Sequence, residues 1–545
     1  MSRHALLRRR VLAAAGALLL LAPLACRRGP QLEPPAGAAR LPQVRLVVMI
    51  VVDQLGWDTL TRLEPALTGG LRRLLDHGVV FSDAHHLHAA TVTAPGHAAL
   101  ATGQHPRRHG IVGNDWFDRE AGDEVYCVLD DDGGTISPRR LLGSTIADWI
   151  RAADGRGRVF AASGKDRGTV LLAGHAPDGV YWYDEGEFVS SAYYADETPE
   201  WLALFHEEHP AERWFGTLWE PLPETLAALD ALVVEPDEGA FPRDFPHSLG
   251  DNTVTPDDSY YDDVYASPFA DAYLGELARA LVEAEGLGAD AHLDFLGLSF
   301  SAPDAVGHDY GPESAELVDT VLRLDRTLGE LLDYLEERIG AERLLVALSS
   351  DHGVAPLPEA RHLAGLEAWR EGAHEVVCEQ SVLERLQRRF GPGVRFAWPG
   401  YVDREALAEA EVDEAAVLAY AAQLLASCPQ VAEVWTRDEL SREKPPKGPH
   451  GSAVWRSFHP LRSPDLLVTY QPWYVPLHSR GTTHGSPWPY DAHVPIILLL
   501  PDREGREIRR AVGTVDLAPT LATLLALPRP ADLDGVDLTE LVLAE

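Results

Sequence analysis

Arg45-Leu-Val-Val-Met-Ile-Val-Val-Asp53 decides the fold: it is an unbroken apolar stretch, rich in branched side chains, with a charge at each end. A strand with one wet face alternates apolar and polar residues, so an unbroken run marks a strand covered on both faces. The same signature recurs in Leu293-Asp-Phe-Leu-Gly-Leu-Ser-Phe300, Arg343-Leu-Leu-Val-Ala-Leu348 and Val494-Pro-Ile-Ile-Leu-Leu-Leu500. Helical patterns lie between these runs, the clearest from Ser314 to Arg338, with apolar residues three and four apart. Strands alternating with helices predict an α/β fold: a mostly parallel central sheet with helices on both faces. Two stretches break the alternation and read as inserted cap segments, near 177–267 and near 359–460. The first is rich in Trp, Tyr, Pro and acidic residues, and the second holds Lys444-Pro-Pro-Lys-Gly-Pro449. Residues 45–545 are expected to form a single domain carrying both insertions.

The 545 residues have a formal net charge of −37, with the acidic residues dispersed rather than run together. That balance argues against a nucleic-acid duplex as partner and for a solvated surface. Any anion site in such a molecule has to be locally positive. Residues 1–26 read as an export signal, because Arg8-Arg9-Arg10 precede the apolar run Val11 to Leu21, which is short for a bilayer span. The expected location is the periplasm or the outer envelope of a bacterium. Arg8 to Leu12 resembles a twin-arginine signal. Cys26 resembles the lipidated cysteine of a bacterial lipoprotein, although Pro23 stands where such a cleavage box has Leu, Val or Ile. The export route and the lipid anchor both stay open. Residues 27–44 read as a Pro/Ala/Gly-rich tether, and no second long apolar run predicts another membrane span. Cys127, Cys378 and Cys428 are too widely spread to read as a disulfide scaffold, and no CxxC pair points to a metal.

In open α/β sheets, ligands bind beyond the carboxyl ends of strands. Asp53 ends the first apolar run, Asp304 lies just past the second, and Asp351-His352 just past the third. Asp304-Ala-Val-Gly-His308 sets an oxygen and a nitrogen ligand four residues apart, within one turn or a tight loop. His484 lies in Gly481-Thr-Thr-His-Gly-Ser-Pro487, a small-residue loop whose backbone can approach an ion closely. Asp and His ligands without Cys suit a catalytic zinc or a similar ion better than a structural zinc. A single Asp-His pair in a loop is more often a turn hydrogen bond. Three strand ends delivering such residues to one edge are far more specific.

Between the first two of these strand ends comes His88-Ala-Ala-Thr-Val-Thr-Ala-Pro-Gly-His-Ala-Ala-Leu-Ala-Thr-Gly103. Thr93 stands where a helix of small residues begins. A hydroxyl there sits in positive potential, which favours its alkoxide and an attached phosphate. Taken alone, Thr93 reads more readily as a helix cap.

Asp53, Thr93 in TxTAPGH, Gly103-Gln-His-Pro-Arg-Arg-His-Gly-Ile111, Asp304-x-x-x-His308, Asp351-His352-Gly353, Thr483-His484-Gly485 and Val515-Asp-Leu-Ala-Pro-Thr520 form one ordered set. From Arg45 onward the chain resembles the alkaline phosphatase superfamily. The similar branch is that of the nucleotide pyrophosphatase/phosphodiesterases and the PafA-type alkaline phosphatases. The resemblance implies an alkaline phosphatase-like fold and two Zn2+ ions. Asp53, Asp351 and His352, with the Thr93 oxygen, would hold one ion, and Asp304, His308 and His484 the other. Thr93 would be the nucleophile of a phosphothreonine intermediate.

Ser163-Gly-Lys165-Asp-Arg167 resembles the Lys and Arg pair of PafA-type monoesterases, and Asn114 in Gly113-Asn-Asp-Trp116 resembles their phosphoryl-holding asparagine. A monoester dianion exposes more phosphoryl charge than a diester, so added cations and donors favour it. The implied substrates are small-molecule phosphate monoesters, with a diesterase as the alternative. The Gly-Lys-Asp-Arg-Gly stretch also suits an exposed turn. No CxPxR-type sulfatase sequence occurs, and a binding protein on a dead hydrolase fold would show a broken ligand set, which this chain does not. His85, His86, His88, His97, His105 and His109 crowd the nucleophile segment and are expected in loop and packing roles. Tyr181, Trp182, Tyr183, Trp201, Trp214 and Trp219 read as a small core of the first insertion or as a stacking surface.

Overall fold

The computed structural model describes residues 32–544 apart from 35, 36, 38, 132, 196, 233–244, 252 and 478–480, so residues 1–26, expected to be an export signal, and Cys26 among them lie outside the described residues. Ten strands make the central sheet: β1 (Leu46–Val52), β2 (Val79–His85), β3 (Val159–Ser163), β4 (Gly179–Asp184), β5 (Glu187–Val189), β6 (Asp294–Phe300), β7 (Leu344–Ser349), β8 (His493–Leu499), β9 (Arg506–Ile508) and β10 (Val512–Gly513). They lie in the order β9-β2-β8-β7-β1-β6-β3-β4-β5, with β10 also on β2. Within this sheet β8 and β5 run against the others, so the expectation of a mostly parallel sheet holds.

The helices that frame it are α1 (Trp57–Leu63), α2 (Thr93–Thr102), α3 (Ile146–Asp154), α4 (Asp166–Ala173), α5 (Pro268–Glu285), α6 (Ala302–Tyr310), α7 (Ala315–Ile339) and α8 (Leu517–Leu525). Every residue of β1 is buried, and its side chains alternate between two cores. Leu46, Val48, Ile50 and Val52 pack with Tyr273 and Leu277 of α5 and Val321 and Leu328 of α7. Val47, Met49 and Val51 pack with Leu100 of α2, Trp149 of α3 and Leu521 of α8. Truncating one such residue, as in Ile50→Ala, costs about 2–5 kcal/mol. The long α7 starts where the Ser314 hydroxyl accepts from the Leu317 N–H, and it ends at Gly340 with φ 95°.

The stretch expected to be inserted from 177 begins inside the sheet, since β4 and β5 are the last two strands at one edge. Val180-Tyr-Trp-Tyr183 looks irregular by apolar pattern, yet aromatic residues fit a pleated surface well. The insertion proper follows Val189. It is fastened to α7 by buried Asp319, which accepts from Trp219 Nε1, Leu222 N and Thr225 Oγ1, each at 2.7 Å, and from Arg323 Nε at 2.6 Å. Trp214 packs on Phe269 and Tyr273, so much of the aromatic content is a local core.

The second insertion carries a separate core around Leu386, Val417 and Leu424. Here the reading of the cysteines is corrected: Cys378 and Cys428 form a disulfide, with Cα atoms 5.8 Å apart. Packing of Ala373–Phe390 on Glu414–Leu425 closes a separation of 50 residues that looked too wide in the sequence. The described part of the tether is laid on the body. Leu32–Glu33 pairs with Arg529–Pro530, and the N–H groups of Arg40 and Leu41 donate to Leu524 O. Among the described residues, no helix is long and apolar enough to cross a membrane.

Candidate active site

The ends of β1 and β6 are level, because the Asp53 N–H donates to Phe300 O at 2.9 Å. Asp53 therefore leaves the sheet beside the turn that opens α6. Asp304 stands in the first turn of α6 and His308 one turn on, with Nε2 3.2 Å from Asp304 Oδ1. Asp351-His352 follows β7, and His484 reaches in with Nε2 3.5 Å from Asp304 Oδ1. The six residues fall into two sets, Asp53/Asp351/His352 and Asp304/His308/His484. Within each set, one ligand atom per residue lies within 4.8 Å of the others.

Hydrogen bonds behind the rings orient them. His308 Nδ1 lies 2.8 Å from Thr482 O, His484 Nδ1 2.8 Å from Thr91 O, and His352 Nδ1 3.0 Å from Gly353 O. A carbonyl only accepts, so each Nδ1 carries the proton and each Nε2 offers a lone pair inward. His352 Nε2 and Asp53 Oδ1 face each other at 3.4 Å, both buried and neither in a hydrogen bond. Orphaned buried polar atoms of this kind are what a cation would satisfy.

Lys165 bridges the two sets, with Nζ 2.5 Å from Asp53 Oδ2 and 2.5 Å from Asp304 Oδ2. Burial, with Asp304 and Asp351 alongside, pushes the Asp53 carboxyl well above its usual range. Burial works the same way on Asp304, but the Lys165 ammonium and His308 outweigh it and hold that carboxyl low. Lys165 stays protonated despite burial because both carboxylates face it. Three buried carboxylates against one ammonium leave the site short of positive charge. The donor set, the tautomers and this imbalance all fit divalent cations.

Thr93 is the first residue of α2 and is buried. The next N–H, that of Ala94, donates to Asn114 Oδ1 at 2.9 Å. His97, one turn on, has Nδ1 2.9 Å from Thr93 O and 3.2 Å from Asp351 Oδ2, while its Nε2 meets Ser299 Oγ at 2.8 Å. Gly96 has to be small, since a Cβ there would sit 2.2 Å from Asp351 O. The helix start is thus pressed onto one set by Gly96 and His97, and Thr91 holds it to the other through His484.

Lys165 and Arg167 lie at the junction of β3 and α4. Arg167 Nη1 donates to the Tyr126 hydroxyl at 3.1 Å, and that hydroxyl donates to Asp166 Oδ1 at 2.5 Å. A cleft of about 410 Å³ opens there, lined in part by Lys165, Arg167, Trp182, Tyr183, Tyr261 and Tyr265. Burial pushes the Tyr265 hydroxyl up to about 12, against the pull of Lys165 and Arg167.

All ten residues singled out in the sequence thus stand in or beside this one site. Three further residues carried no sequence signal. Tyr126 orients Arg167, and Tyr265 faces both cations. Gln54 links the sets: its Nε2 donates to Asp304 Oδ1 at 2.7 Å and its N–H to Asp351 Oδ1 at 3.2 Å. Its φ of 70° lies in the left-handed region, a cost that positioning these two ligands explains. The neighbouring histidines mostly pack. His86 sits between Ser350 O at 2.9 Å and Thr514 Oγ1 at 3.0 Å, and His109 Nδ1 accepts from the Ile111 N–H at 3.1 Å.

The family model for type I phosphodiesterase / nucleotide pyrophosphatase matches residues 47–494. The chain is 31% identical to alkaline phosphatase PafA of Elizabethkingia meningoseptica over 534 residues, 92% of this chain and 95% of that one. It is also 31% identical to alkaline phosphatase PhoV of Synechococcus elongatus, over 91% of this chain and 93% of the relative. The crystal structure of wild-type PafA matches with a TM-score of 0.81 at 30% identity, covering 93% of this chain and 99% of that one. A PafA variant altered at one threonine, one asparagine, one lysine and one arginine also matches with a TM-score of 0.81. The chain belongs to the type I phosphodiesterase / nucleotide pyrophosphatase family, alongside the alkaline phosphatases of the PafA type.

Proposed function

We propose that this chain is an exported alkaline phosphatase that hydrolyses phosphate monoesters with two zinc ions, through a phosphothreonine on Thr93. The observation that carries the proposal is the pair of three-residue ligand sets meeting at Lys165 beside the start of α2. Asp53, Asp351 and His352 would hold one ion, and Asp304, His308 and His484 the other. Zinc bound there supplies Lewis acidity, lowering the pKa of a nearby hydroxyl and stabilising charge on the entering and leaving oxygens.

Thr93 gives up its hydroxyl proton to solvent, and its Oγ attacks phosphorus in line with the ester oxygen. The Oγ–P bond forms as the ester P–O bond breaks, and the departing alkoxide or phenoxide takes a proton from water. Water then attacks the phosphothreonine, the Oγ–P bond breaks, and inorganic phosphate leaves as Thr93 is restored. The Asn114 oxygen is occupied by Ala94 N–H, so its amide NH2 is the group left to donate to a non-bridging oxygen. Lys165 and Arg167 are the cations beside the cleft, and Tyr126 keeps Arg167 in place.

Three lines of support come from outside this geometry. PafA and PhoV are named as alkaline phosphatases. The PafA variant is altered at the same four residue types as Thr93, Asn114, Lys165 and Arg167. The Cys378–Cys428 disulfide suits an oxidising compartment, in keeping with export and with Cys26 as a candidate lipid anchor.

The second reading is a diesterase, which the family description favours. Hydrolysis of an aryl phosphate monoester and its diester, in wild type and in a Lys165→Ala/Arg167→Ala variant, separates the two. The monoester should be the better substrate, and the variant should lose that preference. A better diester rate, or equal loss of both activities, rejects the monoesterase assignment. Fewer than about two zinc equivalents in fully active protein rejects the two-ion mechanism.

A further inference from the structure

Asp83 and His85 stand two residues apart on β2 and so project from one face of the sheet. His493, the first residue of β8, is the direct antiparallel partner of His85. Two ligands at i and i+2 on one strand, with a third opposite on its neighbour, form a rigid three-point platform. One ligand atom from each residue lies within 4.8 Å of the other two. His85 Nε2 is 2.7 Å from Asp83 Oδ1, and the rings of His85 and His493 stack with centroids 4.4 Å apart. His493 Nε2 donates to Ser82 O at 2.9 Å, which leaves its Nδ1 with the lone pair. Trp57 stacks on His493 at 5.9 Å and limits movement of the ring. All three residues are half-buried, so an ion can reach them from solvent.

We infer that Asp83, His85 and His493 form a separate binding site for a divalent transition-metal ion, with zinc the best match. Two imidazoles and one carboxylate are the donors of open zinc sites, where water fills the remaining position. None of the three belongs to the ligand sets at the candidate active site. Trp57 packs against the core shared with α5 and α7, whereas Leu100 of the nucleophile helix packs in the opposite core. An ion here would staple β2 to β8 at the point where the chain departs for His86 and Thr93. It would act on the rigidity of that departure, not on the reacting atoms.

The test is a zinc titration of metal-stripped full-length protein, with bound equivalents counted by elemental analysis, for wild type and a His85→Asn/His493→Asn variant. The variant should bind one equivalent fewer and keep wild-type turnover of an aryl phosphate once zinc is restored. Equal stoichiometry overturns the site, and so does loss of more than one equivalent or of turnover, which would assign the change to the active site. Should the variant fail to fold, zinc-soaked wild-type crystals measured at the zinc edge decide the matter. An anomalous peak between the three side chains supports the site, and no peak there rejects it.

Discussion

His484 Nδ1 donates to the carbonyl oxygen of Thr91 at 2.8 Å, so a candidate metal ligand is oriented by the backbone two residues before the proposed nucleophile. Ligand and nucleophile loop are one mechanical unit. A shift in either is felt by the other.

Replacing that ligand should therefore cost activity as well as one ion. His484→Asn is expected to bind about one zinc equivalent fewer and to lower kcat/KM for an aryl phosphate by at least ~10²-fold. Elemental analysis and steady-state kinetics check both numbers, and retained stoichiometry would remove His484 from the ligand set.

Tyr126 touches Arg167 and Asp166 but not the ligand sets. Tyr126→Phe should lower monoester kcat/KM by about tenfold, the size of one charge-assisted hydrogen bond. Diester hydrolysis should stay near the wild-type value, because a diester exposes less charge to Arg167. An equal fall in both activities would mean a structural role for Tyr126.

Much of this was legible in the sequence for one reason: ligands at strand ends advertise themselves through the apolar run before them. Asp53, Asp304 and Asp351 each follow such a run, and β1, β6 and β7 lie where those runs predict. Gln54 and Tyr126 were not legible, because their roles depend on which side chain they meet, and neither residue type signals a partner. β4 was hidden by its own composition, since Tyr181, Trp182 and Tyr183 blur the apolar pattern of a buried strand. The Cys378–Cys428 bridge was hidden by distance along the chain, which two packed helices cancel.

Buried histidines make an acid-labile region. Burial brings His86 down to about 4 and His105 to about 3, and drives His88 and His109 well below the histidine range. The unfolded chain takes up these protons near pH 6.5, while the folded protein resists until far lower. Stability is therefore full above about pH 6.5 and falls as pH drops, by about 1.4 kcal/mol per unit for each histidine. The loss levels off near pH 4 for His86 and near pH 3 for His105. Urea unfolding between pH 7.5 and 5 should show this slope, and His88→Phe should make it shallower. An unchanged slope in the variant would discount His88.

The disulfide closes a loop of 50 residues in sequence separation. By chain entropy, Cys378→Ser with Cys428→Ser should cost about 4 kcal/mol. The loss should fall on the insertion with the separate core, leaving hydrolysis at 25 °C close to normal. Proteolysis with and without reductant reads this out as new cleavage inside 359–460.

The two ligand sets draw on residues from 53 to 352 and from 304 to 484. The first is complete only after His352 and the second only after His484, once β1, β6 and β7 lie side by side. An ion cannot seed such a structure; it can only lock one already assembled. Zinc should thus leave the refolding rate unchanged while slowing unfolding, a split that stopped-flow measurements with and without metal would record. Under the proposed export, ion supply at the destination, and not in the compartment of synthesis, would be the event that turns a folded chain into an active one.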